Sequence, residues 1–494
     1  MQLPPGRREL WRPQYHFSPH QHWMNDPNGL IFDAGEYHHF YQYNPFGDQW
    51  GHMSWGHAVS TDLVHWQELP VAIAEDWRVS IFSGSVVIDH RNRAGFGAGA
   101  WVALYTGCQG TPGGGRQAQE LAFSHDRGRT WTKYQHNPVL DLGLRDFRAP
   151  KVFFHVGIGR WVMLAALPAE RSIVFFTSHD LKCWSETSRF AMPLAGDGRS
   201  TWESPDLIEL PVAGERSTWM LKIDLFDRLD PGLSGRCGTR LFFGQFDGEQ
   251  FTVDAQSTPT GGALADHGAD FQGALSWAGL PGWPVWIARM NHRRYARQVP
   301  TRPWRGSMTL PRELSVVRGA DGYLQLRQRP VPAVRGLRRE RFEHGHVALA
   351  RRQSLDLLPP GSDGRAIEIH LDGILPGASW QLRLRAGDKD VTRVGFDAAR
   401  GLLYVDRARS GLVPGFDAGF KAQIKAACAP PRSLRVWVDW ASIEVFADDG
   451  STVISSQIFP GDGSRGAFLM ATESAAHFES VCVWTLDAAR FTQA

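Results

Sequence analysis

A turn motif that recurs through the first two thirds of the chain constrains the fold more than any other feature. In each copy an Asp follows an apolar segment and an aromatic residue leads the next one; the copies are Ser60-Thr61-Asp62 with Trp66, Ser124-His125-Asp126 with Trp131, Ser178-His179-Asp180 with Trp184, and the weaker Phe246-Asp247-Gly248 with Phe251. The Asp can accept hydrogen bonds from turn amides while the ring packs between neighbouring sheets. The copies lie roughly 60 residues apart, about the length of one four-stranded propeller blade with its loops. The repeat predicts a propeller of about five blades, with a large irregular β-sandwich as the alternative.

The surrounding sequence is also typical of β-structure. From about Tyr15 to Leu326, short runs of β-branched and aromatic residues are broken by Gly, Pro, Asn and Asp, and helical periodicity is nearly absent. The pattern lapses at Arg329-Pro330-Val331-Pro332 and at the charged stretch from Arg338 to Arg341, which cannot hold a regular central strand. Beyond it, strictly alternating segments such as Leu434 to Asp439 are typical of strands with one buried face.

These patterns predict an all-β protein in three parts, which are a five-bladed β-propeller over residues 1–330, a linker over 331–345 and a C-terminal β-sandwich over 346–494. We expect the sandwich to brace the propeller, because its strands look like packing faces and no exposed row of aromatic residues is evident. A carbohydrate-binding module is the alternative. Nothing in the sequence indicates an oligomeric state.

The charge balance and the apolar pattern argue against two classes of partner. Lys and Arg number 53 against 51 Asp and Glu, a formal net charge of +2, and no basic run of the kind that follows a phosphate backbone is present. We therefore expect no nucleic-acid partner. No uncharged apolar stretch approaches the ~18 residues of a membrane span, so we expect no membrane insertion. By contrast, 20 Trp residues are suited to stacking sugar rings.

The cysteines and the N-terminus indicate the compartment. Five cysteines (Cys108, Cys183, Cys237, Cys428 and Cys482) are scattered without a CxxC pair, which predicts free thiols rather than a disulfide framework or a zinc site. The segment from Met1 to Pro13 has no apolar core of the kind found in signal peptides, which predicts a cytoplasmic protein. A secreted or periplasmic protein whose leader had been removed would show the same sequence.

The first candidate catalytic carboxylate is Asp26. It lies in Asn25-Asp26-Pro27-Asn28-Gly29, where Pro27 and Gly29 restrict the backbone and can aim the carboxylate at one point. An Asx-turn in which Asp26 binds only local amides is the alternative. Nearby aromatic residues favour a sugar pocket; they are Trp23, Phe40, Tyr41, Tyr43 and Trp50.

The second candidate is Glu203, in Thr201-Trp202-Glu203-Ser204-Pro205-Asp206. An apolar neighbour such as Trp202 disfavours the charged form of a carboxyl group and can raise its pKa toward the range of a working general acid. An edge-strand Glu that faces water is the alternative. Glycoside hydrolysis needs two carboxyl groups on opposite sides of the scissile bond, about 5–5.5 Å apart when the configuration is retained. Asp26 and Glu203 are several repeats apart, so the first strands of different blades could bring them together at the propeller axis.

Several segments, in order, resemble the signature blocks of the invertase, levanase and exo-inulinase family, glycoside hydrolase family 32. They are Trp23-Met24-Asn25-Asp26-Pro27-Asn28-Gly29, Gln42-Tyr43-Asn44-Pro45, Trp55-Gly56-His57-Ala58, Phe82-Ser83-Gly84-Ser85, Phe147-Arg148 with Pro150-Lys151-Val152, Trp202-Glu203-Ser204-Pro205-Asp206, Asp266-His267-Gly268-Ala269-Asp270-Phe271, Tyr295-Ala296, the segment from Trp304 to Leu314, and Ser442-Ile443-Glu444-Val445-Phe446. The resemblance covers nearly the whole chain. It implies a β-fructofuranosidase that acts on levan, inulin-type fructan or sucrose.

The resemblance also implies the roles of individual residues. Asp26 would be the nucleophile that attacks the anomeric carbon, and Glu203 the acid that protonates the departing oxygen and later activates water. Six residues match positions that line the fructose subsite in the family; they are Asn25, Gln42, Trp50, Phe82, Ser83 and Arg148. No metal or organic cofactor is implied. The histidines of the N-terminal segment (His16, His20 and His22) are expected to pack as ordinary polar residues rather than to bind a metal.

The main departure from the family is Ala149. The family block reads Arg-Asp-Pro where this chain has Arg148-Ala149-Pro150, so a third carboxylate that grips the fructose hydroxyls in relatives is missing. Loss of a group that stabilises the transition state costs about 3–4 kcal/mol or more, which predicts binding with very slow turnover. Asp146 is not expected to substitute, because three residues away on an extended strand a side chain points to the opposite face. One changed position in an otherwise matching block is more typical of an engineered substrate trap than of natural decay.

Two milder departures and three functional alternatives remain. Ser204 stands where relatives usually carry Cys, and Arg293 stands where many carry Trp, so the surroundings of Glu203 and the leaving-sugar rim are expected to differ. Besides a hydrolase, the chain could be a fructosyltransferase or a difructose-anhydride-forming enzyme of the same chemistry. It could also be a natural fructan-binding pseudoenzyme in which Ala149 is native.

Overall fold

The computed structural model describes residues 8–110, 115–192, 200–227, 238–411 and 423–494. These residues form 35 β-strands and two short 3-10 turns, so the all-β prediction is confirmed. Cys237 and the first seven residues lie outside the described ranges. Cys108, Cys183, Cys428 and Cys482 form no disulfide in the described part of the chain. Among the same residues, no helix is long and apolar enough to cross a membrane.

Five sheets make up the N-terminal part. Sheet one contains β1 (His22–Asp33), β2 (Glu36–Asn44), β3 (Ser54–Ser60) and β4 (Trp66–Ile73), and sheet two contains β5 (Val79–Asp89), β6 (Ala100–Gln109), β7 (Gln117–Ser124) and β8 (Thr132–Lys133). Sheet three contains β9 (Arg148–His155), β10 (Arg160–Leu167), β11 (Ser172–Ser178) and β12 (Ser185–Phe190). Sheet four contains β13 (Ser200–Leu210), β14 (Thr218–Asp227), β15 (Gly238–Phe246), β16 (Phe251–Val253) and β17 (Ala263–Leu264). Sheet five contains β18 (Gln272–Ser276), β19 (Val285–Arg289), β21 (Arg312–Arg318) and β22 (Leu324–Pro330), while the intervening β20 (Trp304–Arg305) pairs with β1.

The five sheets close into a ring. The first strand of each sheet contacts the first strand of the next, from β1 through β5, β9 and β13 to β18, and β18 in turn contacts β1. A ring of antiparallel sheets whose first strands surround one axis is a five-bladed β-propeller, as predicted. Because these inner strands come from all five blades, residues that are far apart in the sequence meet at the axis.

The recurring turn motif acts as its residue types predicted. Asp62 accepts hydrogen bonds from the amides of Val64 and His65 at 2.9 and 2.8 Å, and Asp180 accepts two amide hydrogen bonds in the corresponding turn. The weaker copy at Asp247 is genuine, because its carboxylate accepts from two turn amides at 2.8 and 2.7 Å. The Trp66 ring is buried against the propeller core.

Two further six-stranded sheets form the C-terminal sandwich. The strands that follow the 3-10 turn Pro332–Leu337 are β23 (Arg338–Leu349), β24 (Ser354–Asp356), β25 (Ile367–Asp372), β26 (Trp380–Ala386), β27 (Val391–Asp397), β28 (Leu402–Arg409), β29 (Gln423–Ala427), β30 (Ser433–Asp439), β31 (Ser442–Ala447), β32 (Thr452–Gln457), β33 (Gly466–Ala471) and β34 (Ala476–Leu486), with a second 3-10 turn at Asp448–Gly450. The last strand, β35 (Phe491–Gln493), returns to the propeller and pairs with β4.

The predicted linker over 331–345 is irregular only in its first half. From Arg338 onward the chain forms β23, which is an edge strand of the sandwich, so charged side chains such as Arg339 and Glu340 remain exposed. The charges exclude a central strand but not an edge strand, where one side of the ladder faces solvent.

Buried ion pairs join the propeller to the sandwich. Arg312 lies 3.1 Å from Asp266 and also contacts Glu444 of β31. Arg407 of β28 lies 2.7 Å from Asp270 in the propeller. All five side chains are inaccessible to solvent, so loss of one partner would leave an uncompensated buried charge. These contacts fit the expected bracing role of the sandwich.

His16 belongs to the same junction. Its Nδ1 lies 2.8 Å from Asp439 and its Nε2 lies 2.8 Å from Glu444. Burial alone would lower the pKa of His16, but hydrogen bonds and charges from the two carboxylates outweigh burial and raise the pKa from 6.5 to about 9. His20 and His22 have different partners, since the His20 amide donates to Glu68 and the His22 ring approaches Tyr43. These are the contacts of ordinary polar packing.

We expect His16 to make folding stability depend on pH. Because its pKa is raised in the folded state, its contribution is complete below pH 6.5 and is lost as the pH rises to about 9. The loss amounts to about 3 kcal/mol of unfolding free energy, at roughly 1.4 kcal/mol per pKa unit. Urea unfolding across this range measures it, and His16→Gln should flatten the dependence. The matched control is His52→Gln at an exposed histidine; an unchanged slope in His16→Gln would contradict the prediction.

Candidate active site

A cavity of about 540 Å³ opens at the axis of the propeller. All nine residues that were assigned from the sequence line it, namely Asp26, Glu203, Ala149, Asn25, Gln42, Trp50, Phe82, Ser83 and Arg148. Asp26 comes from β1 and Glu203 from β13, so the first and fourth blades bring their carboxylates to one cavity. Seven further residues complete the lining; they are Trp23, Ser204, Arg289, Asn291, Arg293, Ala296 and Arg297.

Every innermost strand has a register irregularity near the propeller axis. The register shifts between Met24 and Pro27 in β1, between Ile81 and Gly84 in β5, between Arg148 and Lys151 in β9, between Glu203 and Asp206 in β13, and between Gln272 and Leu275 in β18. A β-bulge interrupts the ladder and re-aims the side chains next to it. The bulges of β1, β5, β9 and β13 lie at residues that line the cavity, and the bulge of β18 lies at Gly273, whose backbone is close to Asp26.

The carboxylate of Asp26 is held by the charge of Arg289 and by the nearby backbone of Gly273. Its Oδ1 lies 3.0 Å from Nη1 of Arg289, and its Oδ2 accepts a long hydrogen bond of 3.5 Å from Ser83. The backbone of Gly273 passes so near that an added Cβ would lie 2.8 Å from Oδ1. The Gly273 amide donates to Asp224 at 2.7 Å, which fixes this approach. Asp26 thus does not form the self-contained Asx-turn that was the alternative.

Glu203 is buried and faces three arginines. Nη2 of Arg293 donates to its Oε2 at 2.6 Å. Burial alone would raise the pKa of Glu203, but the charges of Arg293, Arg148 and Arg289 and the hydrogen bond from Arg293 lower it from 4.5 to about 2. The sequence-based expectation of a raised pKa is therefore wrong. Trp202 is indeed an adjacent apolar residue, but the arginines of three other strands and loops have the larger effect.

Ala149 lies at the cavity wall in an unusual backbone conformation. Its φ is +59°, in the left-handed region, and its amide donates to Thr106 at 3.0 Å. Asp146, which the sequence placed on the opposite face of an extended strand, instead forms an ion pair with Arg148. The argument from strand alternation was wrong, because β9 begins only at Arg148 and the chain bulges at Ala149. Asp146 is not among the cavity-lining residues, so it still leaves the position of the missing carboxylate empty.

The remaining assigned residues are fixed by local contacts. The indole Nε1 of Trp23 donates to Asn25 at 2.7 Å, and the Gln42 amide donates to the Ile81 carbonyl at 3.0 Å. The rings of Trp50 and Phe82 lie edge to face, with centroids 6.1 Å apart. These contacts leave polar and aromatic groups side by side, which is the arrangement that binds the edges and faces of a sugar ring.

Three polar groups of the cavity were not identified from the sequence, Arg289, Asn291 and Arg297. Arg289 ends β19 and its side chain is only 9% exposed. A buried arginine inside an apolar strand requires a carboxylate partner, and that signal could have marked it. Its partner could not be chosen, because Asp26 lies more than 200 residues earlier in the chain.

In the described residues, no group of three or more His, Cys, Asp or Glu is arranged to hold a metal ion.

Comparison with known proteins decides the family. Residues 16–330 match the glycosyl hydrolases family 32 N-terminal domain, and residues 334–485 match the family 32 C-terminal domain. The chain belongs to glycosyl hydrolase family 32. This chain is 39% identical over 495 residues to a levanase from Bacillus subtilis (strain 168), and the alignment covers 97% of this chain and 71% of the levanase.

Solved structures agree with this assignment. This chain superposes on the exo-inulinase from Aspergillus awamori with a TM-score of 0.87 at 32% identity, and the superposition covers 98% of this chain and 99% of the exo-inulinase. It also resembles β-fructofuranosidase from Schwanniomyces occidentalis in complex with fructosyl-erythritol, with a TM-score of 0.84 at 30% identity and coverage of 99% and 100%. The resemblance stated from the sequence motifs is therefore confirmed, and the chain is a glycoside hydrolase of the fructofuranosidase group.

Proposed function

We propose that this chain is built to release terminal β-D-fructofuranosyl units from fructans or sucrose, with retention of configuration. The observation that carries the proposal is that Asp26 and Glu203, from two different blades, line one cavity. Two carboxyl groups at one sugar-sized site are the minimum that glycoside hydrolysis requires. The levanase, exo-inulinase and β-fructofuranosidase among its relatives support fructose as the sugar.

In the proposed reaction, Asp26 is the nucleophile and Glu203 the acid and base. An Asp26 oxygen bonds to the anomeric carbon while the bond to the leaving oxygen breaks, and Glu203 gives that oxygen its proton. Glu203 then takes a proton from water, whose oxygen replaces Asp26 at the anomeric carbon. Arg289 orients Asp26 for the attack. We assign the fructose subsite to the remaining predicted residues, Asn25, Gln42, Trp50, Phe82, Ser83 and Arg148.

We further propose that Ala149 makes this chain a poor catalyst. A residue with φ of +59° is strained unless it is Gly, Asn or Asp, and Ala is not favoured there. The backbone therefore suits the Asp of the family motif better than the Ala that is present. With no carboxylate at this position, Arg148 pairs with Asp146, and its buried Nε has no hydrogen-bond partner among the described residues. The missing carboxylate also favours a second candidate, a fructan-binding protein without turnover.

Product analysis tests the proposal. The chain should bind levan, inulin or sucrose with Ala149 in place, and the Ala149→Asp variant should release free fructose from at least one of them. If the main products are longer oligosaccharides or difructose anhydrides, the chain is a transferase or an anhydride-forming enzyme. Binding without any fructose release from the variant would support the pseudoenzyme instead.

Gly273→Ala is expected to impair the site although it replaces none of the proposed catalytic residues. The new Cβ would lie 2.8 Å from Asp26 Oδ1, and φ at this residue is +64°, so the carboxylate or the strand has to move. A displacement of about 1 Å at a reacting group can cost on the order of 100-fold in rate. The measurement is kcat/KM for fructose release in the Ala149→Asp background. Gly282→Ala, at an open position with positive φ, controls for backbone strain, and equal losses in both variants would contradict the prediction.

A further inference from the structure

Arg293 occupies the cavity beside the proposed acid. Besides the 2.6 Å hydrogen bond to Glu203, its guanidinium carbon lies 3.6 Å from the centroid of the Phe226 ring. The stack on Phe226 restricts the plane of the guanidinium and leaves Nη2 aimed at Glu203. Arg293 lines the cavity and its side chain is 45% exposed. It can therefore leave Glu203 without disturbing the core.

The ion pair between Arg293 and Glu203 conflicts with the proposed role of Glu203 as the acid. An ionised carboxylate accepts hydrogen bonds only and has no proton to give to a departing oxygen. The charges that lower the pKa of Glu203 to about 2 are those of Arg293, Arg148 and Arg289. The one other carboxylate that lines the cavity in the described residues is that of Asp26. The carboxylates of Asp26 and Asp224 act on Arg293 and help to hold it in place. Without a change in this arrangement Glu203 stays charged throughout the range in which proteins work.

We propose that Arg293 is a positioning residue that closes the leaving-group side of the cavity, and that a substrate has to displace it from Glu203 before the departing oxygen can be protonated. The inference rests on the proposed function only in taking Glu203 as the acid. It makes the sugar next to the fructosyl unit a competitor of Glu203 for Arg293. A leaving sugar whose hydroxyl groups accept hydrogen bonds from the guanidinium favours the displaced state, so Arg293 also selects the leaving group.

The pairing can be tested without activity. In protein labelled with ¹³C at Glu side-chain carboxyl carbons, the Glu203 signal is assigned by its loss in Glu203→Gln and then followed against pH. We expect Arg293→Gln to raise the pKa of Glu203 by roughly 1–3 pH units, the usual effect of removing an adjacent opposite charge. Arg297→Gln removes the same charge from the same cavity and should have a clearly smaller effect. An unchanged or lowered pKa in Arg293→Gln would overturn the pairing.

The consequence for the reaction is tested in the Ala149→Asp background. The alkaline limb of kcat/KM reports the acid of the free enzyme. Arg293→Gln and Arg293→Trp should move this limb to higher pH and raise kcat/KM near neutral pH by about tenfold for each pH unit that the limb moves. Arg293→Lys keeps the charge and should leave the limb closer to its original place.

Two other results would separate a failure of the Arg293 proposal from a failure of the proposed function. A uniform fall in kcat/KM for Arg293→Gln, with no movement of the limb, would overturn the proposal, because it would show that Arg293 binds substrate rather than restrains Glu203. Complete absence of fructose release from Ala149→Asp would instead contradict the proposed function, and the ¹³C titration would still decide whether Arg293 controls the ionisation of Glu203.

Discussion

Ala149→Asp is expected to raise kcat for fructose release by several hundred-fold or more. A preorganised group that stabilises charge or grips the substrate in the transition state is worth about 3–4 kcal/mol, which is roughly a hundred- to a thousand-fold in rate. The position is suited to the new side chain, since it lines the cavity and its φ of +59° is more favourable for Asp than for Ala. The measurement is steady-state fructose release from sucrose, inulin and levan.

Ala149→Asn is the matched control for this prediction. Asn has nearly the shape of Asp and the same tolerance of positive φ, but it has no charge, so it separates the carboxylate from the restored packing. We expect Asn to recover only a small part of the rate. Neither variant should lower the thermal unfolding midpoint. If Ala149→Asp leaves all three substrates intact while the unaltered chain binds them, the hydrolase proposal fails.

In the Ala149→Asp background, Asp26→Asn is expected to lower kcat by about 10⁴-fold or more, the scale of losses seen when a nucleophile is removed. The amide cannot form the covalent bond to the anomeric carbon. Glu203→Gln should behave differently. The proton that Glu203 donates speeds the first step only when the leaving group is a poor one. With sucrose it should be strongly impaired, whereas formation of the fructosyl-enzyme from p-nitrophenyl β-D-fructofuranoside should be largely retained, since nitrophenolate departs without a proton.

This contrast between leaving groups assigns the two roles. Burst kinetics with the nitrophenyl substrate follow the first step directly, and Glu203→Gln should show a burst followed by slow turnover. Ser204→Ala, next to Glu203 in the same cavity, controls for local disturbance of β13. Equal losses on both substrates for Glu203→Gln would contradict its assignment as the acid. Nitrophenol release by Asp26→Asn at an undiminished rate would exclude Asp26 as the nucleophile.

The architecture was predictable because its signals are local. An Asp such as Asp180 forms its turn with amides two and three residues later, so the repeat could be recognised without knowing the fold. The repeat distance then set the number of blades. The charged segment from Arg338 was assigned to a linker although it forms an edge strand, because pairing with β34 depends on residues about 140 positions away.

The sequence predicted which residues line the cavity, but it did not predict the charges that act on them. Asp26 and Glu203 stand in segments with an unusual density of turn-forming and aromatic residues, and that density is visible in the sequence. The ionisation of Glu203 was predicted with the wrong sign, because the sequence shows its neighbour Trp202 but not Arg293, which arrives from the fifth blade. The carboxylate pairing of Arg289 was missed for the same reason.

The sequence by itself determined the residue types, the repeat and hence the family of this protein, since hydrophobic periodicity and turn chemistry act over a few residues. Only the tertiary structure decided how the five inner strands bulge at the axis and which charges meet there. The physical reason is that a Coulomb interaction depends on distance in space, and closing the ring brings side chains from separate blades within 3 Å of one another. Whether Glu203 holds a proton is therefore a property of the closed propeller and not of the segment that contains it.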